Sequence, residues 1–168
     1  MYAIIATTLA LTGAAVAAPA ATIKARAEQF GLHAFSTGGK LQYWAVVNAH
    51  IGAGQNALQI QRPAAYQSDP AYLNNTELFF DLGTEYPWGV AIPEVPAGTV
   101  AQVTSKPGDG AVATGFAVAD EKLTYNGSPD GFWACPVQDV FTLFYGQNPD
   151  AANLPSDECL PITLQASA

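Results

Sequence analysis

Few side chains in this 168-residue sequence could do chemistry. It holds two histidines, His33 and His50, two cysteines, Cys135 and Cys159, and fourteen acidic residues. A catalytic zinc takes three protein ligands and keeps a fourth position open, so the histidines would need carboxylates to join them. Each lies in or beside a stretch that reads as strand, where a histidine satisfying its own hydrogen bonds is the expectation. There is no Gly-x-Ser-x-Gly elbow, no phosphate-binding Gly-x-x-x-x-Gly-Lys-Ser/Thr loop and no His-Glu-x-x-His pair. Gly52-Ala53-Gly54 lacks the third glycine and following helix of a phosphate loop and reads as a hairpin turn. No catalytic residue, metal site or cofactor is therefore assigned.

The carboxylates allow one alternative. Glycoside hydrolysis uses two carboxyl groups about 5–9.5 Å apart, one of them held protonated by its surroundings. Glu77 and Asp81 share one face of a strand pattern, but four extended residues separate them by roughly 13 Å. Asp120-Glu121 and Asp157-Glu158 are loop neighbours, too few in oxygen ligands for a calcium site. A secreted carboxylate-dependent glycoside hydrolase would have to assemble its pair by folding.

Aromatic side chains suggest binding instead. Tyr43-Trp44, Tyr86-Pro87-Trp88 and Phe132-Trp133 place aromatics close together in the chain. Neighbours on a strand point to opposite faces, so one of a pair can fill the core while the other faces outward. Outward rings can stack on the apolar face of a sugar, with a few polar groups fixing orientation. Tyr86, Trp88 and Trp133 are the candidate carbohydrate-binding residues, Trp88 foremost because Pro87 and Gly89 suggest a loop.

These residues must be positioned by strands. Fifteen Gly and twelve Pro call for many turns. Period-two patterns run through Leu58–Arg62 and Thr76–Leu82, and Leu41–His50 is β-branched and aromatic. Further strands are predicted at Phe30–Phe35, Gly89–Ile92, Thr99–Thr104, Ala111–Val118, Lys122–Tyr125, Gly131–Ala134, Val140–Tyr145 and Ile162–Ala166, with Gly- and Asn-rich turns between them. About ten short strands predict an all-β fold, an antiparallel β-sandwich, with a barrel or β-trefoil as the alternative. A helical turn or two is expected only around Ala21–Gln29.

Composition narrows the functional classes. Six basic residues against fourteen acidic ones, a net charge of −8, leave no electrostatic footprint for nucleic acid or an anionic membrane. Residues Ala3 to Ala18 form an uncharged, small-residue apolar run shorter than a membrane span. Ala15-Val16-Ala17 fits a leader-peptide cleavage pattern. A signal peptide over 1–17 is therefore expected, leaving one all-β domain over 18–168 outside the cell or in its wall. In an oxidising compartment Cys135 and Cys159 should form a disulfide. On the chain-entropy model such a loop stabilises by roughly 3–3.5 kcal/mol. Asn74-Asn75-Thr76 and Asn126-Gly127-Ser128 are glycan acceptor triplets, making Asn74 and Asn126 candidate glycosylation sites.

The C-terminal third carries a resemblance. Gly131-Phe132-Trp133-Ala134-Cys135-Pro136 resembles the aromatic-x-Ala-Cys-Pro motif of PhiA-like secreted cell-wall proteins of filamentous fungi. Leu123-Thr124-Tyr125 upstream, and Val140–Tyr145, Asn148-Pro149 and Cys159 downstream, occupy matching places. Tyr66-Gln67-Ser68-Asp69-Pro70 lacks the cysteine that relatives carry in a similar stretch. The resemblance implies an extracellular or wall-associated protein and carries over no catalytic residue. The expectation is thus a secreted, noncatalytic surface or cell-wall protein, with wall polysaccharide as the candidate partner.

Overall fold

The computed structural model describes residues 28–62, 67–108, 110 and 112–168. The expected leader at 1–17, and the expected helical turn up to residue 27, lie outside the described residues; Glu28 and Gln29 have no regular structure. The described strands are β1 (Gly31–Ser36), β2 (Trp44–Gly52), β3 (Gln55–Gln61), β4 (Ala71–Asn74), β5 (Glu77–Phe80), β6 (Trp88–Ala91) and β7 (Ala101–Gln102). They continue with β8 (Thr104–Pro107), β9 (Phe116–Ala119), β10 (Lys122–Tyr125), β11 (Phe132–Val137), β12 (Val140–Tyr145) and β13 (Leu160–Ser167). One 3-10 turn spans Ala151–Asn153.

Six of these strands close an antiparallel barrel in the order β1, β2, β3, β12, β11, β13 and back to β1. The closing pairs are Phe141↔Ile60 and Thr142↔Gln59, between strands about eighty residues apart in sequence. The expected all-β class holds, and of the architectures expected it is the barrel alternative, with extensions, that the strands build in place of the sandwich. Period-two alternation is the same in both architectures. What separates them is the long-range register between β3 and β12, which no local pattern encodes.

The extensions arise because long barrel strands share their edges. β3 gives Gln59 and Ile60 to β12 but Asn56 and Ala57 to β8, which leads on through β6 and β5 to β4. β12 likewise pairs with β7 beyond its contact with β3, and the β9–β10 hairpin joins β13 at Lys122↔Gln165. Tight hairpins fix these registers. Gln138 and Asp139 at the β11–β12 turn, like Asp120 and Glu121 at the β9–β10 turn, all have positive φ. Such turns match the right-handed twist of the flanking strands.

Alternation then sorts the side chains. Leu32, Ala34, Val46, Leu58, Ile60, Phe132, Ala134, Leu143, Ile162 and Leu164 belong to the main core. On the outside, Cys135, Phe144 and Cys159 form a second small cluster with Trp133, Val100 and Leu154 against it. The Cys135–Cys159 disulfide ties β11 to the residue just before β13. A polar cross-tie anchors the extension. Asp69, just before β4, accepts hydrogen bonds from the Asn48 backbone N–H at 2.6 Å and from its side-chain amide at 3.1 Å. Fully buried Ser105 on β8 donates from its hydroxyl to the side-chain amide oxygen Oδ1 of Asn48.

Candidate functional site

The three aromatic candidates fall in two separate places. Trp88 is the first residue of β6, paired with Phe80 and Pro107, so the expected loop position is corrected to a strand. A proline on its N-terminal side does not prevent this, because a strand can begin immediately after it. The Trp88 ring is half-buried against the main core, and its Nε1–H donates to Thr84 Oγ1 at 2.9 Å. That hydroxyl donates in turn to the Tyr86 carbonyl at 2.8 Å, folding residues 84–88 into a local knot. The Tyr86 side chain stands in solvent, 57% exposed. Trp133 lies on β11; along the sheet β12, β3 and β8 intervene between it and Trp88. The structure does not unite the three rings.

Trp133 has a richer setting. Phe132, its neighbour, is buried in the core, so strand alternation turns Trp133 to the outer face. There it is half-buried beside the disulfide cluster, and its Nε1–H donates to the Gly146 carbonyl at 3.1 Å. It borders a cavity of about 260 Å³ whose lining includes Thr37, Asp130, Gln147, Asn148 and Thr163. The Gln147 amide is held at both sides, donating to the Asp130 carbonyl at 3.2 Å and to the Tyr145 hydroxyl at 3.0 Å. Gly131 makes this possible, since a Cβ there would lie 2.6 Å from Gln147 Nε2, and its φ of +97° suits glycine. The result is an aromatic wall with hydroxyl and amide groups and a single carboxylate. Such a surface suits a neutral, hydroxyl-rich ligand.

This chain's membership in a known family rests on nearly the same span. A family model described as a domain of unknown function, DUF7907, matches residues 27–168. The chain belongs to the DUF7907 family. No curated protein and no solved structure matches it.

The DUF7907 fold also places the remaining candidates. Asn74 ends β4 and Asn126 sits in the turn after β10, both exposed. The Asn126 backbone N–H donates to Gly115 at 2.8 Å, and the residue has a φ of +51°. Glu77 begins β5, while Asp81 follows that strand and accepts from the Gln29 side chain at 2.9 Å and the Gly83 N–H at 3.2 Å. No group of three His, Cys, Asp or Glu among the described residues is placed to hold a metal ion. Among the described residues, no helix is long and apolar enough to cross a membrane.

His50 lies exposed on β2. His33 is 8% exposed, its Nδ1 3.1 Å from Ser167 Oγ and its ring stacked on Tyr43 at 3.8 Å. Burial pushes its pKa below the ordinary value of 6.5. Tyr43 and Ser167 were not singled out as site residues from sequence. The signal was partly visible in the Tyr43-Trp44 pair, whose first member is the exposed one and whose second packs against the core.

Proposed function

We propose that this DUF7907 protein is a secreted, noncatalytic surface or cell-wall protein that holds polysaccharide in the groove beside Trp133. The observation that carries this reading is the pairing of an outward indole with Thr37, Asn148 and Thr163 around one groove. Stacking supplies apolar contact to a sugar ring, and the hydroxyls and amides exchange water for sugar hydroxyls. No bond is made or broken. The disulfide supports an oxidising destination, and the exposed Asn74 and Asn126 acceptor triplets are open to glycosylation on that route. The likeness of Gly131–Pro136 to PhiA-like wall proteins points the same way.

The hydrolase alternative needs two carboxylates around one substrate. Glu28, Asp130 and Asp139 each line a different groove, and none of the grooves described has two carboxylate side chains among its described lining residues. Binding without cleavage is the better reading. It is tested by retention of the purified protein on insoluble chitin and β-glucan. Wild type should be retained and Trp133→Ala released, with folding verified by its unfolding transition. Absence of wild-type retention on every wall polymer, or full retention of Trp133→Ala, would overturn it.

A further inference from the structure

The Trp133 groove has a counterpart on the same face of the barrel. Directly opposed residues of antiparallel strands project to the same side. Trp133 opposes Pro161, Phe35 opposes Thr163, His33 opposes Gln165 and Gly31 opposes Ser167. Their sequence neighbours Phe132, Ile162, Ala34, Leu164 and Leu32 are in the core. The first set therefore shares the outer face. From Trp133 and Pro161 at one end to Gly31 and Ser167 at the other, six residues of β13 run for about 20 Å.

At the Gly31–Ser167 end lies a cavity of about 460 Å³, lined by His33, Tyr43, Gln67, Ser68 and Ser167 among others, with no charged side chain in its described lining. Tyr43 is 46% exposed although one ring face is covered by His33 at an interplanar angle of 8°. Phe35 meets it edge-on at 5.9 Å, linking it to the middle of the strip. The Tyr43 backbone has a φ of +59°, costly for a bulky side chain. The stack on His33 holds the ring there, so the backbone turns an aromatic plane toward the cavity at a cost in local strain. Gly31 keeps the floor open. A Cβ at that position would run into Ser68 Oγ and come within 3.2 Å of His33 Cε1 and 3.4 Å of Ser167 Oγ.

We propose that the two grooves are the ends of one track, in which a single neutral polysaccharide chain lies along the outer face of β1, β13 and β11 with Tyr43 and Trp133 as its two aromatic platforms. This rests on the polysaccharide reading above and extends it from one sugar site to a chain-length-selective surface. The two ends offer the same chemistry: an aromatic ring, hydroxyls and amides, and at most one charged side chain among the described residues lining each. Phe35 and Thr163, paired across β1 and β13, join them. A chain long enough to engage both ends makes its second contact intramolecularly, so affinity rises steeply with length.

The test is calorimetric titration with two-unit and six-unit β-1,3-gluco-oligosaccharides and chito-oligosaccharides. In at least one series, wild type should bind the six-unit probe at least tenfold more tightly than the two-unit probe. Tyr43→Ala should erase that gain while leaving two-unit binding at the Trp133 end in place. Gly31→Ala should reduce the gain by narrowing the floor of the second groove between Ser68, His33 and Ser167, with folding verified by its unfolding transition. Equal affinity for both lengths, or an undiminished gain in both variants, overturns the track and leaves the Trp133 site standing. No binding of either length in either series overturns both.

Discussion

The Trp88 corner and the Trp133 face use the same side chain in opposite ways. Both indoles are half-buried and both N–H groups are satisfied, by Thr84 Oγ1 and by the Gly146 carbonyl. Trp88 packs against the main core, and its polar edge is consumed by a knot of residues only four positions away. Trp133 instead stands outside that core, backed by the disulfide cluster and fronted by Thr163 of β13 and by polar side chains of the loops after β1, before β11 and after β12. An aromatic ring is thus made structural or available by the layer it joins. Its immediate neighbours in sequence do not decide the matter.

Removing the disulfide should have the largest effect and should be lopsided. Replacing Cys135 and Cys159 together by alanine is expected to cost about 3 kcal/mol in denaturant unfolding. Hydrogen exchange should accelerate in β11 and the start of β13 while β5 and β6 keep their relative protection. Acceleration in β11 and β13 no greater than in β5 and β6 would break the contrast, because the global loss alone speeds every amide that exchanges through full unfolding.

Trp88→Ala should cost nearly as much, about 2–3 kcal/mol, for a ring that is only partly covered. It should leave polysaccharide retention unchanged. A Trp88→Ala protein that stays folded yet no longer adheres would move the binding surface to the β6 corner.

Asp69→Ala tests the seam between barrel and extension, with an expected loss of about 1–2 kcal/mol from orphaning the Asn48 donors. Its effect should appear as faster exchange in β4 and β8, with the Trp133 face untouched.

Much of this contrast was legible in the chain, for identifiable reasons. Val140–Tyr145 and Lys122–Tyr125 are strands with the bounds read from alternation and turn residues. That Phe132 and Trp133 face opposite sides follows from period two; that Phe132 is the one inside is set by the layer each face meets. Ala71–Asn74 was missed because Ala-Tyr-Leu-Asn is too short to show a period, and it becomes a strand by pairing with β5. Trp88 was misplaced because Pro87 and Gly89 signal a turn locally, whereas pairing with Phe80 and Pro107 extends the backbone there. Barrel closure and the Tyr43 groove depend on contacts across long stretches of chain: Ser167 reaches His33 over 134 positions. No local pattern encodes an approach of that kind.

The smallest expected effect concerns His33, at the far end of the same outer face. Burial disfavours its charged form, so its pKa in the folded protein lies below the 6.5 of the unfolded chain. The unfolded chain therefore takes up this proton first as pH falls. The stability contributed by the neutral ring is fully present above pH 6.5 and is lost progressively as pH drops through the folded value. Denaturant unfolding of wild type should show a decline in that window beyond whatever the carboxylates produce. His33→Gln should remove that component while keeping the carboxylate-dependent loss at lower pH. If both proteins follow the same curve through this window, the His33 ring is not the desolvated, neutral partner of Tyr43 and Ser167.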